Sequence, residues 1–350
     1  LGKLISSEKI IGSVSLNTEI NGTFKEDLGF AMTIDGNVSN IYFNNYKLTN
    51  IKIEGDFSEK DFDGKVNIDD PNLTLDFIGS FDFSDSIPHY NFETQIHEAN
   101  LFPLRIDRND ENSFVSAIIK TNFHGSNLDN LRGKIDLYNV NILRNQQDYF
   151  FKEINFEALN QPDFKKLELS SDLIKANIHG DFLFSDMLNS IRDFLSFYLP
   201  SISPSGIVDS VSYDSKFDFE IDLIYPQPFT ELYFPFLEIS PNTLIQGNYD
   251  IYTKNLNFEG EVAYFEIFGK TFKDLYLNAY TRDSLLSVNA GSREFIYNSK
   301  HSLKNFSLSS SILSDSINLN FNWNNWDEIN YSGNFSITAN LKKSTYKYPS

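Results

Sequence analysis

The 350-residue chain contains no cysteine, so a disulfide, a thiolate metal site and a cysteine nucleophile are all excluded. Histidine is scarce: His89, His97, His124, His179 and His301 stand far apart. His97-Glu98 lacks the second histidine of a zinc-protease helix. There is no nucleophile elbow and no glycine loop of the kind that cradles phosphate. No run reaches the roughly 18 apolar residues a membrane-crossing helix needs. Basic residues are in deficit, 29 Lys and Arg against 48 Asp and Glu, for a net charge of −19. That argues against nucleic acid as a partner and against electrostatic attachment to anionic bilayers. Carboxylates are plentiful, yet none stands inside an apolar strand face, where an acid of raised pKa is expected. These absences point away from an enzyme, and no cofactor or metal site is expected.

What the chain does have is aromatic surface to bury, with 33 Phe and 18 Tyr. Phe, Tyr and Ile favour strands over helices. The length exceeds that of one compact core, so two domains or an elongated repetitive body is expected. The segment from Ile51 to Phe83 shows the plan. Ile51, Ile53, Gly55 and Phe57 alternate with Lys52, Glu54 and Asp56; Phe62, Gly64, Val66 and Ile68 alternate with Asp63, Lys65 and Asn67. Leu73, Leu75, Phe77, Gly79, Phe81 and Phe83 form a third such series. Period-two alternation marks strands with one dry and one wet face. The links Ser58-Glu-Lys-Asp61 and Asp69-Asp-Pro-Asn72 are short enough only for antiparallel neighbours, so the segment reads as a β-meander.

Each of these strands carries a glycine on its dry face with an apolar residue two before and two after. The pattern recurs at Gly22, Gly36, Gly55, Gly64, Gly79, Gly133, Gly180, Gly247, Gly260 and Gly333. A glycine inside a strand marks a bend, a bulge or a close approach, and repeated on one face it would curve the sheet into a trough. The flanking residues are then the candidate lining: Ile20, Phe24, Ile34, Val38, Ile53, Phe57, Phe62, Val66, Phe77, Phe81, Leu131, Ile135, Ile178, Phe182, Phe258, Val262, Tyr331 and Phe335. Scattered kinks in an ordinary sandwich core are the plainer reading of the same glycines.

Further along, Leu101-Phe-Pro-Leu104 reads as a kinked edge, and Asp107-Arg-Asn-Asp-Glu-Asn112 as a solvated acidic loop without the spacing of a calcium loop. The phase slips between Leu173 and Ile174. Phe184, Met187, Leu188, Ile191, Phe194, Leu195 and Tyr198 then recur at three and four, the stripe of an amphipathic helix with Ser185 as N-cap and Pro200 as its stop. Pro200–Gly206 resembles a linker, and the segment holding Pro226, Pro228, Pro235 and Pro241 reads as irregular. The expected organisation is a first β-groove segment, 1–183, then helix and linker, 184–206, then a second groove segment, 207–350. The fold class is all-β: an elongated, mostly antiparallel meander curved into a U-shaped, β-taco-like trough with one short helix. The chain begins at Leu1 with no Met or signal-like segment and reads as an internal piece of a longer protein.

The repeated apolar-x-Gly-x-apolar strands, the unit Gly64-Lys-Val-Asn-Ile-Asp-Asp-Pro-Asn-Leu-Thr-Leu-Asp-Phe-Ile-Gly79, and Phe123-His-Gly125 followed by Asn127-Leu-Asp-Asn-Leu-Arg-Gly133 resemble the TamB family, AsmA-like envelope proteins of bacteria with two membranes. The helix ending in Tyr198-Leu-Pro200 is also similar. The resemblance implies a greasy groove carrying phospholipids between inner and outer membranes, in the periplasm, with an inner-membrane anchor and an outer-membrane barrel partner engaged through other parts of the parent protein. Two alternatives stand beside it: a scaffold that captures strands of unfolded β-barrel proteins, and a structural or adhesive β-solenoid with a filled core.

Overall fold

A computed structural model describes residues 15–25, 29–162, 164–201 and 215–342. Their pairings are all antiparallel, and the sheet is an open, unclosed meander. The chain divides into two compact units, Leu1–Asn160 with Glu168–Asp172, and Gln161–Leu167 with Leu173–Ser350. The first holds β1 (Ser15–Lys25), β2 (Gly29–Phe43), β3 (Tyr46–Ser58), β4 (Asp61–Asp70), β5 (Leu73–Asp82), β6 (His89–Asn100), β7 (Phe114–His124), β8 (Arg132–Arg144) and β9 (Gln147–Gln161). β10 (Phe164–Ser171) is divided between the units. The second holds β11 (Ile174–Asp181), α1 (Met187–Tyr198), β12 (Lys216–Leu223), α2 (Gln227–Tyr233), β13 (Leu237–Ile239), β14 (Thr243–Asp250), β15 (Asn255–Ile267), β16 (Lys270–Arg282), β17 (Leu285–Asn298), β18 (His301–Leu313), β19 (Ser316–Asn324) and β20 (Ser332–Asn340). Each strand pairs with the next along the chain, except that β12 pairs with β14 while β13 pairs with the far end of β15.

Tight turns set the register. Asn44-Asn45, Asn145-Gln146, Asp283-Ser284 and Ser314-Asp315 all have positive φ at both central residues, as type I′ hairpin turns require, and Asn and Asp tolerate that region best. The phase slip at Leu173 is a real interruption, the turn between β10 and β11.

In the first unit, the 101–113 connection folds over one end of the sheet. Asn44 Nδ2 donates to the carbonyls of Leu104 (3.3 Å) and Arg105 (2.8 Å). The Asp107 carboxylate pairs with Arg144 at 2.9 Å, and Asp110 accepts the Asn145 N–H at 2.5 Å. Flat, the β2–β3 and β8–β9 turns would lie about 29 Å apart, six strand spacings. Arg105 and Asp107 are two residues apart, about 7 Å, so the sheet must curve to bring both turns to one loop. Leu104, 1% exposed, seals this end against Val38, Leu48, Ile51 and Ala99. The kinked edge and acidic loop read from the sequence are therefore one folded cap, and Asp107 is buried rather than solvated.

In the second unit, α1 plays that part. It starts at Met187 after a single 3-10 turn, Phe184–Asp186, so Asp186 and not Ser185 occupies the N-cap, and neither helix start has a side-chain cap bond. Phe194 and Tyr198 are buried, Phe194 against the Tyr249 ring at 5.4 Å. Ser190 Oγ lies 3.1 Å from Tyr249 Oη, which in turn donates to the Ser190 carbonyl at 2.7 Å. The Tyr198 carbonyl accepts the Asp315 N–H at 2.9 Å, and Ser201 donates its N–H and hydroxyl to the Asp315 carboxylate at 2.8 Å each. The helix thus reaches from β14 to the β18–β19 turn. Its expected single stripe splits: Ile191 and Leu195 face outward, exposed. The proline-rich segment is partly regular, since Pro226 caps α2 and Pro228 sits in its first turn, where a missing N–H costs nothing.

Candidate functional site: an apolar face in each unit

The pairing registers stack the dry-face residues of the first unit into rows across the strands. One row runs Met32, Phe57, Phe62, Phe81, Tyr90, Phe123, Gly133, Ala158. The next runs Ile34, Gly55, Gly64, Gly79, Phe92, Thr121, Ile135, Phe156, and a third Gly36, Ile53, Val66, Phe77, Thr94, Ile119, Leu137, Ile154. A fourth, Val38, Ile51, Ile68, Leu75, Ile96, Ala117, ends at the Leu104 cap. Only Thr94, Thr121 and the hydroxyl of Tyr90 interrupt these rows with polar atoms, and the buried Thr121 Oγ1 has no hydrogen-bond partner among the described residues. Away from the cap most of the face is half-buried: Ile53, Phe57, Val66, Phe77, Phe81, Phe92, Ile119, Ile135, Leu137 and Ile154 all keep part of their surface. No second layer of described residues covers them.

The second unit repeats the arrangement. Ile178, Phe219, Gly247, Phe258, Ala279, Val288, Ser310, Leu319 and Ile337 form one row. Ala176, Ile221, Ile245, Gly260, Leu277, Ala290, Leu308, Phe321 and Phe335 form another. Exposure rises toward β20, reaching 59% at Phe335 and 56% at Ile337.

Glycines and aromatics share the dry face by complementarity. Gly55, Gly64 and Gly79 sit side by side, and a Cβ on Gly64 would meet the Glu54 carbonyl at 2.3 Å and the Gly55 Cα at 2.6 Å. Elsewhere on this face a cross-strand ring lies over the bare backbone: Phe219 over Gly247 and Trp323 over Gly333. The rings touch in series. Phe62, Phe77, Phe81 and Phe92 are linked at centroid distances of 5.2 to 6.0 Å. Phe272, Phe295, Phe306, Phe321, Trp323 and Phe335 are linked at 4.5 to 6.2 Å. Single left-handed residues repair the phase. At Asn50 (φ 51°) the alternation slips, so Leu48 and Ile51 both point into the capped cluster. At Asp274 (φ 50°) it slips again, and Phe272 joins the ring series.

The opposite face is polar and held by cross-strand pairs, Lys134 with Glu157 and Lys120 with Glu93 at 3.0 Å, and His97 with Asp76 at 2.7 Å. Its shallow hollows are lined mainly by such side chains, including Lys52, Glu54, Lys65, Asp76 and Glu93. At the capped end, burial pushes Asp70 up, but donors from Asn72, Tyr46 and Thr49 outweigh it and hold the carboxyl below its usual range. His89 and His124 stack at 4.0 Å. Burial lowers His124, and the neighbouring His89 and Arg132 lower it further.

Of the candidate lining residues, Ile34, Val38, Ile53, Phe57, Phe62, Val66, Phe77, Phe81 and Ile135 share the face of the first unit, and Ile178, Phe258, Val262 and Phe335 that of the second. Leu131 precedes β8 and packs on Gly125; Phe182 follows β11, 1% exposed and in ring contact with Phe217. Tyr331 precedes β20 and is 67% exposed. The side chains of Ile20, Phe24 and Leu188 lie outside the described residues. The alternation did not disclose the aromatic series; it becomes visible only once the registers pair Phe272 with Phe295 and bring Phe306 and Phe321 into diagonal ring contact. The fold and the face together define an all-β, open antiparallel meander with one apolar and one polar surface. No family model, curated protein or solved structure matches the chain.

Proposed function

We propose that the apolar face of each unit holds phospholipid acyl chains, and that the protein is a non-enzymatic lipid conduit of the TamB-like, AsmA-like kind. The observation that carries this reading is the half-exposed apolar face of the first unit, several rows deep across eight strands, with nothing among the described residues packed on it away from the Leu104 cap. Each acyl methylene leaving water gains about 0.8 kcal/mol, so two chains of ordinary length gain on the order of 20 kcal/mol without any specific contact. Large, interchangeable Phe, Ile, Leu and Val side chains in rows suit a ligand that slides between equivalent positions. The polar head stays in water. Transport between inner and outer membranes, a periplasmic location and a barrel partner rest on the family resemblance. Native mass spectrometry with lipid extraction, on protein purified from a bacterium without detergent, tests the reading: bound phospholipid supports it, and a lipid-free folded monomer overturns it.

A second reading has one specific observation in its favour. Among the described residues β20 pairs only with β19, and its Phe335 and Ile337 are exposed, the features of an edge that could accept another strand. Peptide recovered in place of lipid would establish strand capture.

A further inference from the structure

The strands of the second unit end in two sets of turns. At the end covered by α1 the tips are Asp283-Ser284 and Ser314-Asp315. At the other end the tip of the β15–β16 hairpin is Phe268-Gly269, with φ of 49° and 69°, and the 325–331 loop carries Trp326 at φ 54°. Left-handed φ is uncommon for any residue but glycine, Asn and Asp, and for a bulky ring it is strained. Packing inside the chain offsets little of that. Phe268 is 71% exposed, stacked on the Phe236 ring at 4.7 Å with its N–H on the Phe236 carbonyl, and Trp326 is 73% exposed. Among the described residues, the other two-residue tips with positive φ at both positions use Asn, Gln, Asp or Ser instead.

These rings do not stand alone. Phe236, Tyr297 and Ile329 project at the same end, 45%, 55% and 69% exposed. Lysines are concentrated there beside the acids of the 325–331 loop, Asp327 and Glu328. In a chain with 48 acids and 29 bases, 267–273 and 296–304 carry Lys270, Lys273, Lys300 and Lys304 and no acid. Lys273 and Lys304 pair with Glu294 and Asp327, whereas Lys270 and Lys300 make no ion pair among the described residues. Lys270 instead lies over the Tyr297 ring, 3.9 Å from its centroid, and donates to the Tyr297 carbonyl at 2.8 Å.

We infer that this end of the second unit docks on a phospholipid surface, with Phe268 and Trp326 seated at the boundary between headgroups and acyl chains and Lys270 and Lys300 on headgroup phosphates. Aromatic rings interleaved with lysines at one level are the composition that anchors proteins at a membrane interface, and the lysine stems carry their charge out to the phosphates. The tips come from separate connections and form protrusions, not a recessed pocket, as a fluid surface of no fixed shape permits. The inference goes beyond the lipid-holding face and does not need it to be filled.

The test uses a Trp323→Phe protein, in which Trp326 is the sole tryptophan, and vesicles of phosphatidylcholine with phosphatidylglycerol. Docking predicts a blue-shifted Trp326 emission that brominated acyl chains quench, and co-flotation of protein with vesicles. Phe268→Asn with Trp326→Asn, in the natural background, should lower vesicle partition about tenfold or more, since each ring withdrawn removes a buried aromatic. The same variant should be no less heat-stable than the parent, because Asn is the better residue at positive φ. Lipid held on the apolar face should survive in it, which separates this inference from the conduit reading. Unshifted Trp326 emission with vesicles overturns docking, as does equal flotation of the variant. A concentration-dependent dimer that dissociates in the variant, without vesicle binding, assigns the patch to a second copy and also overturns it.

Discussion

Val66→Asp combined with Phe77→Asp probes the apolar face where it is most regular. The two residues are direct cross-strand partners, flanked in their row by Ile53 and Thr94. The Phe77 ring lies 6.0, 5.2 and 5.3 Å from those of Phe62, Phe81 and Phe92, so the two carboxylates would enter the middle of the aromatic series. An acyl chain crossing β4 and β5 covers about 10 Å of this face. That length holds roughly eight methylenes, and withdrawing about half of them from contact costs about 3 kcal/mol at 0.8 kcal/mol each. That corresponds to a loss of occupancy of about a hundredfold. The fold loses the half-buried Phe77 side chain and its ring contacts, about 2–3 kcal/mol, which a twenty-strand sheet should survive with its strand content intact. Ile78→Asp is the matched control. Ile78 is 52% exposed on the polar face between Lys65 and Glu93, and a carboxylate there should change stability by no more than about 0.5 kcal/mol and leave lipid in place. The assay is phospholipid per protein by native mass spectrometry, beside circular dichroism. A double variant with its full lipid complement, or Ile78→Asp stripping lipid equally, would refute the reasoning.

Other perturbations separate the parts of the design. Gly64→Ala places a Cβ 2.3 Å from backbone and should cost about 2 kcal/mol or more, whereas Gly260→Ala, whose nearest neighbour is 3.7 Å away, should be close to neutral by denaturant titration. Asp315→Ala removes both Ser201 bonds and should raise amide exchange through Met187–Tyr198 while leaving β2–β6 unchanged. The acid limb of stability follows from the depressed Asp70 carboxyl: its contribution is present above the ordinary value of 3.8 and is lost as pH falls through the lower folded value, and Asp70→Asn should flatten that limb. His124 acts higher in pH. Its folded pKa lies below 6.5, so the unfolded chain takes up the proton first and stability drops as pH falls beneath 6.5. Burial sets that balance first, with His89 and Arg132 also opposing protonation and Asp85 and Asp82 favouring it; His124→Gln should remove the step in a pH series of melting temperatures.

The strands were legible because each has one face in water. Lys52, Glu54 and Asp56 between Ile51, Ile53, Gly55 and Phe57 leave no other period, and the register then follows from turns such as Asn44-Asn45. The caps were hidden because their partners are distant in sequence. Leu104 meets Val38, and Asp107 meets Arg144, with no local pattern to announce either. The helix Gln227–Tyr233 is too short for a periodic stripe and was masked by its own prolines. A signal for the phase corrections did exist. Asn50 and Asp274, single Asn or Asp residues between apolar ones two before and one after, mark the left-handed residues that return Leu48 and Phe272 to the dry face. Of the glycines, the sequence showed the spacing but not the reason: the rings of Phe219 and Trp323 that occupy the space a side chain would need come from other positions on the face.

Site-specific photocrosslinking in living bacteria tests the lipid-holding face most directly. A benzophenone amino acid in place of Phe77 faces the rows of Phe62 and Phe92; in place of Ile78, one residue on, it faces the charged surface. Phospholipid adducts at position 77 and none at 78 are the expected result. Adducts at neither position, or equally at both, would contradict an acyl-chain-holding face.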